Sequence, residues 1–290
     1  MIVTAAAAVV VVVAYLNAPH TTVAAPGGTP ASVPAGTESG PVESAPSPSP
    51  TSSPVPSVTP TPMHRADNHR LPSGVLNLTN WKLTLPIAAN GSSKAQEIVQ
   101  PRLASYAMPP YFAVDSTGGG VMFRANAGGA TTSGSGYPRS ELREMTSGGA
   151  KPASWSTTSG TSTMTVRAAI MHLTTAKPQV TVAQIHDDSD DVLVIRLDGP
   201  HHLYAEHNGT NYGDLDNNYL LGSPFTAQLT ASGGHIRISY NGVSKVDYPV
   251  SSSNDYFKAG CYTQSNTSKG DAPGAYAEVV IYRLDVTHTG

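Results

Sequence analysis

The chain has 290 residues, with 17 Lys+Arg against 20 Asp+Glu, a formal net charge of −3 and 13% charged residues. So little charge excludes a long charged helix, a coiled coil or a charged disordered tail, and the absence of basic excess excludes a general nucleic-acid binder. The single cysteine, Cys261, excludes an intrachain disulfide and a thiolate metal site.

Residues 2–16 are almost wholly apolar. The run is shorter than the ~20 residues a membrane-spanning helix needs and matches a signal-peptide core, although no Lys or Arg precedes it. Residues 1–25 therefore read as a signal peptide or N-terminal hydrophobic leader of atypical form. The protein is expected to be secreted, with no stable membrane span. Residues 26–63 are rich in Pro, Ser and Thr, contain no aromatic residue, and carry only Glu38 and Glu43 as charges. Such a segment buries too little apolar surface to fold and reads as a disordered linker.

Residues 64–290 read as one domain with 17 basic and 18 acidic residues. Segments 81–85, 120–124, 163–173, 180–186, 192–197, 235–240 and 277–284 are rich in Val, Ile, Thr and Tyr and alternate with period two. Turn signals separate them: Asp198-Gly199-Pro200, Asn208-Gly209, Ser232-Gly233-Gly234 and Asn241-Gly242. Many short strands with tight turns predict an antiparallel sandwich or barrel.

Three strands carry polar residues on one face. Alternation puts Arg139, Glu141 and Arg143 on one side of the segment 138–145, with Ser140, Leu142 and Glu144 opposite. Gln184 and His186 share a face while Ile185 turns away. In segment 256–264, Tyr256, Lys258, Tyr262 and Gln264 share a face, with Phe257, Ala259 and Cys261 opposite as core. Cross-strand pairs on a solvated outer face account for any one of these strands. The three together, in a domain with few charges elsewhere, point to one patch. Its excess charge is positive and it lies beside groups that move protons, which suits an extended anionic ligand.

The segments Arg139-Ser140-Glu141-Leu142-Arg143, Gln184-Ile185-His186 and Tyr256-Phe257-Lys258-Ala259-Gly260-Cys261-Tyr262-Thr263-Gln264 resemble, in order and separation, the three signature motifs of polysaccharide lyase family 7, the alginate lyases. The resemblance covers about residues 76–286. It implies an all-β jelly-roll sandwich of two antiparallel sheets whose concave groove the motifs line, and a catalytic domain over 64–290 that depolymerises alginate by elimination. Two positions depart from the family pattern: Cys261 replaces Val or Ile, and Thr263 replaces Asn. Ile185 in the middle motif resembles members that accept guluronate or mixed blocks.

Elimination from a 4-linked uronate requires a neutralised carboxylate, a base for the C5 proton and an acid for the departing O4. Arg139 offers a planar donor fork and Gln184 an amide for the carboxylate. The resemblance assigns these two, with His186, to that role. Tyr262 is the expected acid, and also the base where the C5 proton lies on its side. His186 is the expected base for guluronate, the opposite epimer. Glu141, Arg143, Tyr256, Lys258 and Gln264 are read as substrate-binding or groove-shaping residues.

The run His186-Asp187-Asp188-Ser189-Asp190-Asp191 has the look of a cation loop but lacks the Gly and distal Glu of an EF-hand, and reads as a solvated turn after the Gln184 strand. Adjacent strand residues face opposite ways, so His201 and His202 cannot chelate together. No cofactor or metal is implied. The Gly/Ser-rich segments 126–137 and 266–274 read as surface loops or lids, and Trp81 and Trp155 as core. The partner is an acidic polysaccharide, the expected action endolytic and the chain a monomer. Alternatives are a lyase of another polyuronate such as glucuronan, or a non-catalytic lectin for acidic polysaccharides. A glycoside hydrolase needs two carboxylates flanking the bond, and only Glu141 lies on the patch.

Overall fold

The computed structural model describes residues 71–290. The leader and linker expected over residues 1–63 lie outside the described residues. In chain order the strands are β1 (Trp81–Ala88), β2 (Ala95–Ile98), β3 (Phe112–Val114), β4 (Val121–Asn126), β5 (Arg139–Thr146), β6 (Lys151–Pro152), β7 (Trp155–Ser156), β8 (Thr161–His172) and β9 (Gln179–His186). They continue as β10 (Asp191–Asp198), β11 (His202–His207), β12 (Thr210–Asp216), β13 (Phe225–Ser232), β14 (His235–Tyr240), β15 (Val243–Pro249), β16 (Ser253–Thr263) and β17 (Tyr276–Thr289). Three short 3-10 turns, Pro72–Gly74, Arg102–Ser105 and Thr267–Lys269, complete the described secondary structure.

These strands form two antiparallel sheets. The larger runs β12-β11-β10-β9-β16-β5-β1-β2, with β6 on β5 and β7 on β16; the smaller runs β15-β14-β13-β8-β17-β4-β3. They stack as the jelly-roll sandwich expected from the motifs, β16 lying against β17 and β4. The core fills the space between them. Leu83, Leu142, Ile185, Phe257, Ala259 and Cys261 enter it from the larger sheet; Phe123, Val166, Ala168, Val279 and Ile281 enter from the smaller. Residues alternate inward and outward except at bulges such as that in β9, where Val182 and Ala183 both enter the core. The intervening residues of the larger sheet are left on its outer face.

The turn signals close hairpins where expected. Asn208-Gly209 and Asn241-Gly242 each hold both residues at positive φ, +50° and +78° in the first and +49° and +83° in the second. That is the type I′ turn whose twist matches the flanking strands. Trp81 is buried in the core, and Trp155 packs against it with its indole N–H donating to Glu144 Oε2 at 3.0 Å. Among the described residues no helix is long and apolar enough to cross a membrane.

Candidate active site

β16 lies between β5 and β9, and this pairing assembles the polar patch. Lys258 is opposite Arg143 on one side and Gln184 on the other; Tyr256 is opposite His186; Tyr262 is opposite Arg139. β1 adds Lys82 opposite Arg143 and Thr84 opposite Glu141. One row thus crosses four strands as Lys82, Arg143, Lys258 and Gln184, with strands about 4.8 Å apart. Gly260 makes this close stacking possible. It sits at φ +151°, and a Cβ there would lie 2.5 Å from Ser140 O and 2.7 Å from Glu141 Cα.

Glu141 is the buried hub beneath the row. Its Oε2 accepts from Arg139 Nη1 at 2.9 Å and lies 3.1 Å from Lys258 Nζ, and its Oε1 accepts from Gln184 Nε2. Burial pushes its carboxyl up, but the ammonium of Lys258, the guanidinium of Arg139 and their hydrogen bonds outweigh this and hold it below the ordinary range. The carboxylate therefore stays ionised and fixes three donors in place. Glu141 absorbs part of the positive charge, while Arg139 Nε, one hydrogen of the Gln184 amide and the Arg143 guanidinium are not committed to it.

Burial, with Arg139 and Arg143 adding to it and Glu141 opposing, pushes Lys258 down to about 8. Its ammonium form prevails below that pH and is lost above it, so the floor loses one cation as pH rises through about 8. KM for a polyanion is accordingly expected to rise about tenfold between pH 7 and 9.5, the scale of one charge-assisted hydrogen bond. In Lys258→Arg, which stays charged, it should rise far less. Equal KM–pH curves for the two enzymes would remove Lys258 as the cause.

His186 is held in one tautomer. Its Nδ1 lies 2.6 Å from the Asp187 carbonyl oxygen, which only accepts, so Nδ1 carries the proton and Nε2 keeps its lone pair. The Tyr256 hydroxyl is 3.1 Å from the same Nδ1, and its ring stacks on the imidazole with centroids 5.3 Å apart. Arg143 covers the Tyr256 ring at 3.8 Å. Burial and the nearby Lys258 charge lower the His186 pKa, the Asp187 carbonyl and Glu141 opposing. The ring is thus neutral at pH 7, with a free nitrogen suited to accept a proton. Tyr262 is half-buried; the Arg139 guanidinium rests on its ring at 3.6 Å, and its hydroxyl lies 2.8 Å from Ser135 Oγ.

Arg139, Arg143, Gln184, His186, Tyr256, Lys258 and Tyr262 all line one cavity of about 360 Å³ on the outer face of the larger sheet. Glu141 supports it from below. Gln264 does not line the cavity: its Oε1 accepts from Arg196 Nη2 at 3.2 Å farther along the same face, where Arg196 is opposite Thr181 and Thr181 opposite Tyr262. Several lining residues carried no motif signal. Lys82 and Thr84 come from β1, residues 132–135 and 188–190 from the loops before β5 and after β9, and Asp191 from the start of β10. The alternation of β1 places Lys82 and Thr84 on one face, but nothing in the sequence told which strand β1 would join.

The 187–191 turn is therefore a wall of the cavity as well as a solvated turn. Asp187 Oδ1 accepts from the backbone N–H groups of Ser189 and Asp190, which shapes it. Burial, with Asp190 and Glu206 beside it, pushes Asp191 up to about 6. The 266–274 loop is tied to the 126–137 loop by Asn266 Nδ2 donating to Gly136 O at 2.8 Å. Cys261 is fully buried, and Thr263 Oγ1 donates to Ser265 O at 2.8 Å, so both departures from the family pattern point away from the cavity. His201 and His202 diverge: His201 Nδ1 contacts Tyr219 O and His202 Nε2 contacts Asp214 Oδ1. Among the described residues no group of three or more His, Cys, Asp or Glu is placed to hold a metal ion.

A family profile described as alginate lyase matches residues 76–288, the region that builds both sheets and the cavity. The chain belongs to the alginate lyase family. A solved structure of the alginate lyase AlgAT5, from polysaccharide lyase family 7, is 55% identical; the match covers 76% of this chain and all of that one, with a TM-score of 0.74. An alginate lyase from Corynebacterium sp. is 47% identical over 77% of this chain and all of that one, with a TM-score of 0.73. An alginate lyase of Klebsiella pneumoniae is 25% identical over 75% of this chain and 91% of its own length. This family member is a polysaccharide lyase with alginate lyase activity, and its substrate is an acidic polysaccharide. The cationic row across the cavity floor is the physical counterpart of that substrate.

Proposed function

We propose that the protein cleaves alginate by β-elimination, endolytically and on guluronate-containing or mixed blocks, with Arg139, Gln184, His186 and Tyr262 as its catalytic residues. The observation that supports this most is the convergence of the four side chains on one cavity floored by cations. Arg139 and Gln184 neutralise the carboxylate of the uronate, so the electrons released at C5 delocalise into it. In guluronate His186 Nε2 takes the C5 proton, the C4–O4 bond breaks, a C4=C5 double bond forms, and Tyr262 gives its proton to O4. In mannuronate the C5 hydrogen lies on the Tyr262 side, and Tyr262 serves as base as well as acid.

Endolytic action is supported by the row Lys82, Arg143, Lys258 and Gln184, which crosses four strands and offers several consecutive uronates a floor. The guluronate or mixed-block preference rests on Ile185, as in family members that it resembles. Export as a monomer rests on the apolar run at residues 2–16 and on a domain with its own core.

Ultraviolet absorbance during incubation with alginate tests the reaction class. A lyase creates an absorbing double bond, a hydrolase creates only reducing ends, and a lectin creates neither. His186→Asn tests the division of labour. Its rate on guluronate blocks should fall about 10²–10⁴-fold, the usual worth of a general base, with a much smaller loss on mannuronate blocks. Equal losses on both would reject the epimer-specific role.

A further inference from the structure

The segment between β4 and β5 lays Ser135 over the proposed acid, with its Oγ 2.8 Å from Tyr262 Oη. Which oxygen donates follows from the other contacts of the serine. The Tyr137 backbone N–H donates to Ser135 Oγ at 3.0 Å, so that oxygen is already an acceptor. Its own proton has two acceptors in reach: the Tyr137 carbonyl at 3.3 Å and Tyr262 Oη at 2.8 Å. The shorter contact is the better hydroxyl hydrogen bond. With the serine donating, Tyr262 Oη is capped from the loop side, and its phenolic proton is left to point into the cavity that both residues line.

The rest of the surroundings offer that oxygen nothing equivalent. Arg139 of β5 meets the ring face at 3.6 Å, and Lys258 of β16 is engaged with Glu141. Tyr137 approaches as a tilted ring 6.5 Å away, with its own hydroxyl 3.4 Å from Lys177 Nζ. On β9, Thr181 is the residue opposite Tyr262, and its Oγ1 faces Arg196 Nε. Among the described residues Ser135 is the one side chain hydrogen-bonded to Tyr262 Oη.

We infer that Ser135 is a positioning residue of the elimination: its hydroxyl donates to Tyr262 Oη, turns the phenolic proton toward the departing O4, and holds the phenolate left when that proton has gone. The inference rests on the reading of Tyr262 as the acid. A hydrogen bond to an ionised oxygen is stronger than one to a neutral phenol, so the contact tightens as the proton leaves. An interaction that strengthens toward the transition state acts on kcat and not on KM.

Ser135→Ala should lower kcat on guluronate-rich alginate about 10- to 100-fold, the worth of one hydrogen bond to a charged oxygen. KM should stay within about twofold of wild type. Ser135→Thr, which keeps a hydroxyl, should recover most of the lost kcat. Wild-type kcat in Ser135→Ala overturns the inference. So does a loss carried by KM that Thr does not rescue, because that pattern reports loop packing alone. Parallel assay of Tyr262→Phe separates the two levels: an active Tyr262→Phe removes the acid assignment and this inference together. An inactive Tyr262→Phe beside a fully active Ser135→Ala removes the role of Ser135 only.

Discussion

Tyr262→Phe is expected to reduce formation of the unsaturated product about 10²–10⁴-fold on every block type, the range a positioned general acid supplies. The substitution removes one oxygen and little else. The ring keeps its cation–π contact with Arg139 at 3.6 Å and its neighbour Tyr137 at 6.5 Å, and its place opposite Arg139 is set by backbone pairing. The one hydrogen bond lost is that to Ser135, at a partly exposed site. A net hydrogen bond there is worth about 1 kcal/mol, so thermal unfolding should move by only a few degrees. A large loss of activity with a near-native melting temperature assigns the hydroxyl to the chemistry. Retention of a tenth or more of wild-type activity would reject it.

The groove floor was legible because it is built on strands. Period-two alternation separates Arg139, Glu141 and Arg143 from Leu142, and Lys258 and Tyr262 from Phe257, Ala259 and Cys261; the structure buries the second set in the core. The jelly-roll sandwich followed from the three motifs in their order. What escaped needs register or loop conformation. Lys82 alternates correctly on β1, yet its place opposite Arg143 depends on a pairing between segments some 60 residues apart. Ser135 and Asp188 lie in loops with no period to read. Gln264 needs position along the sheet as well as face: it meets Arg196, which shares the Tyr262 face through Thr181, yet it lies beyond the cavity lining. Glu144 was placed correctly opposite the patch, but not its task there. It accepts from the indole of Trp155 at 3.0 Å and the backbone N–H of Phe257 at 2.9 Å, anchoring the groove strand from behind.

Glu141→Gln should give the largest loss of stability among substitutions in the groove. The carboxylate is 1% exposed and takes hydrogen bonds or ion pairs from Arg139, Lys258 and Gln184. An amide of the same shape removes the charge, and its N–H₂ gains an acceptor only by a flip of the Gln184 amide, because Arg139 and Lys258 only donate. Breaking a buried pair while leaving the partner charged costs about 3–5 kcal/mol, and here two cations lose their counter-charge. For a domain of this size that corresponds to a fall of roughly 10 °C in Tm. Glu97→Gln is the fitting comparison. Glu97 bonds Lys82 at 2.7 Å on the same side of the sheet but is 46% exposed, and such a surface pair is worth under about 1 kcal/mol. The acid dependence provides a second signature. The folded-state pKa of Glu141 lies below its unfolded value, so its contribution is present above the ordinary carboxylate range and is lost as pH falls through the folded value. Glu141→Gln should therefore flatten the acid side of the stability profile as well as lower its plateau. Loss of Tm no greater than in Glu97→Gln would mean that the three donors find other partners, and that Glu141 does not hold the floor together.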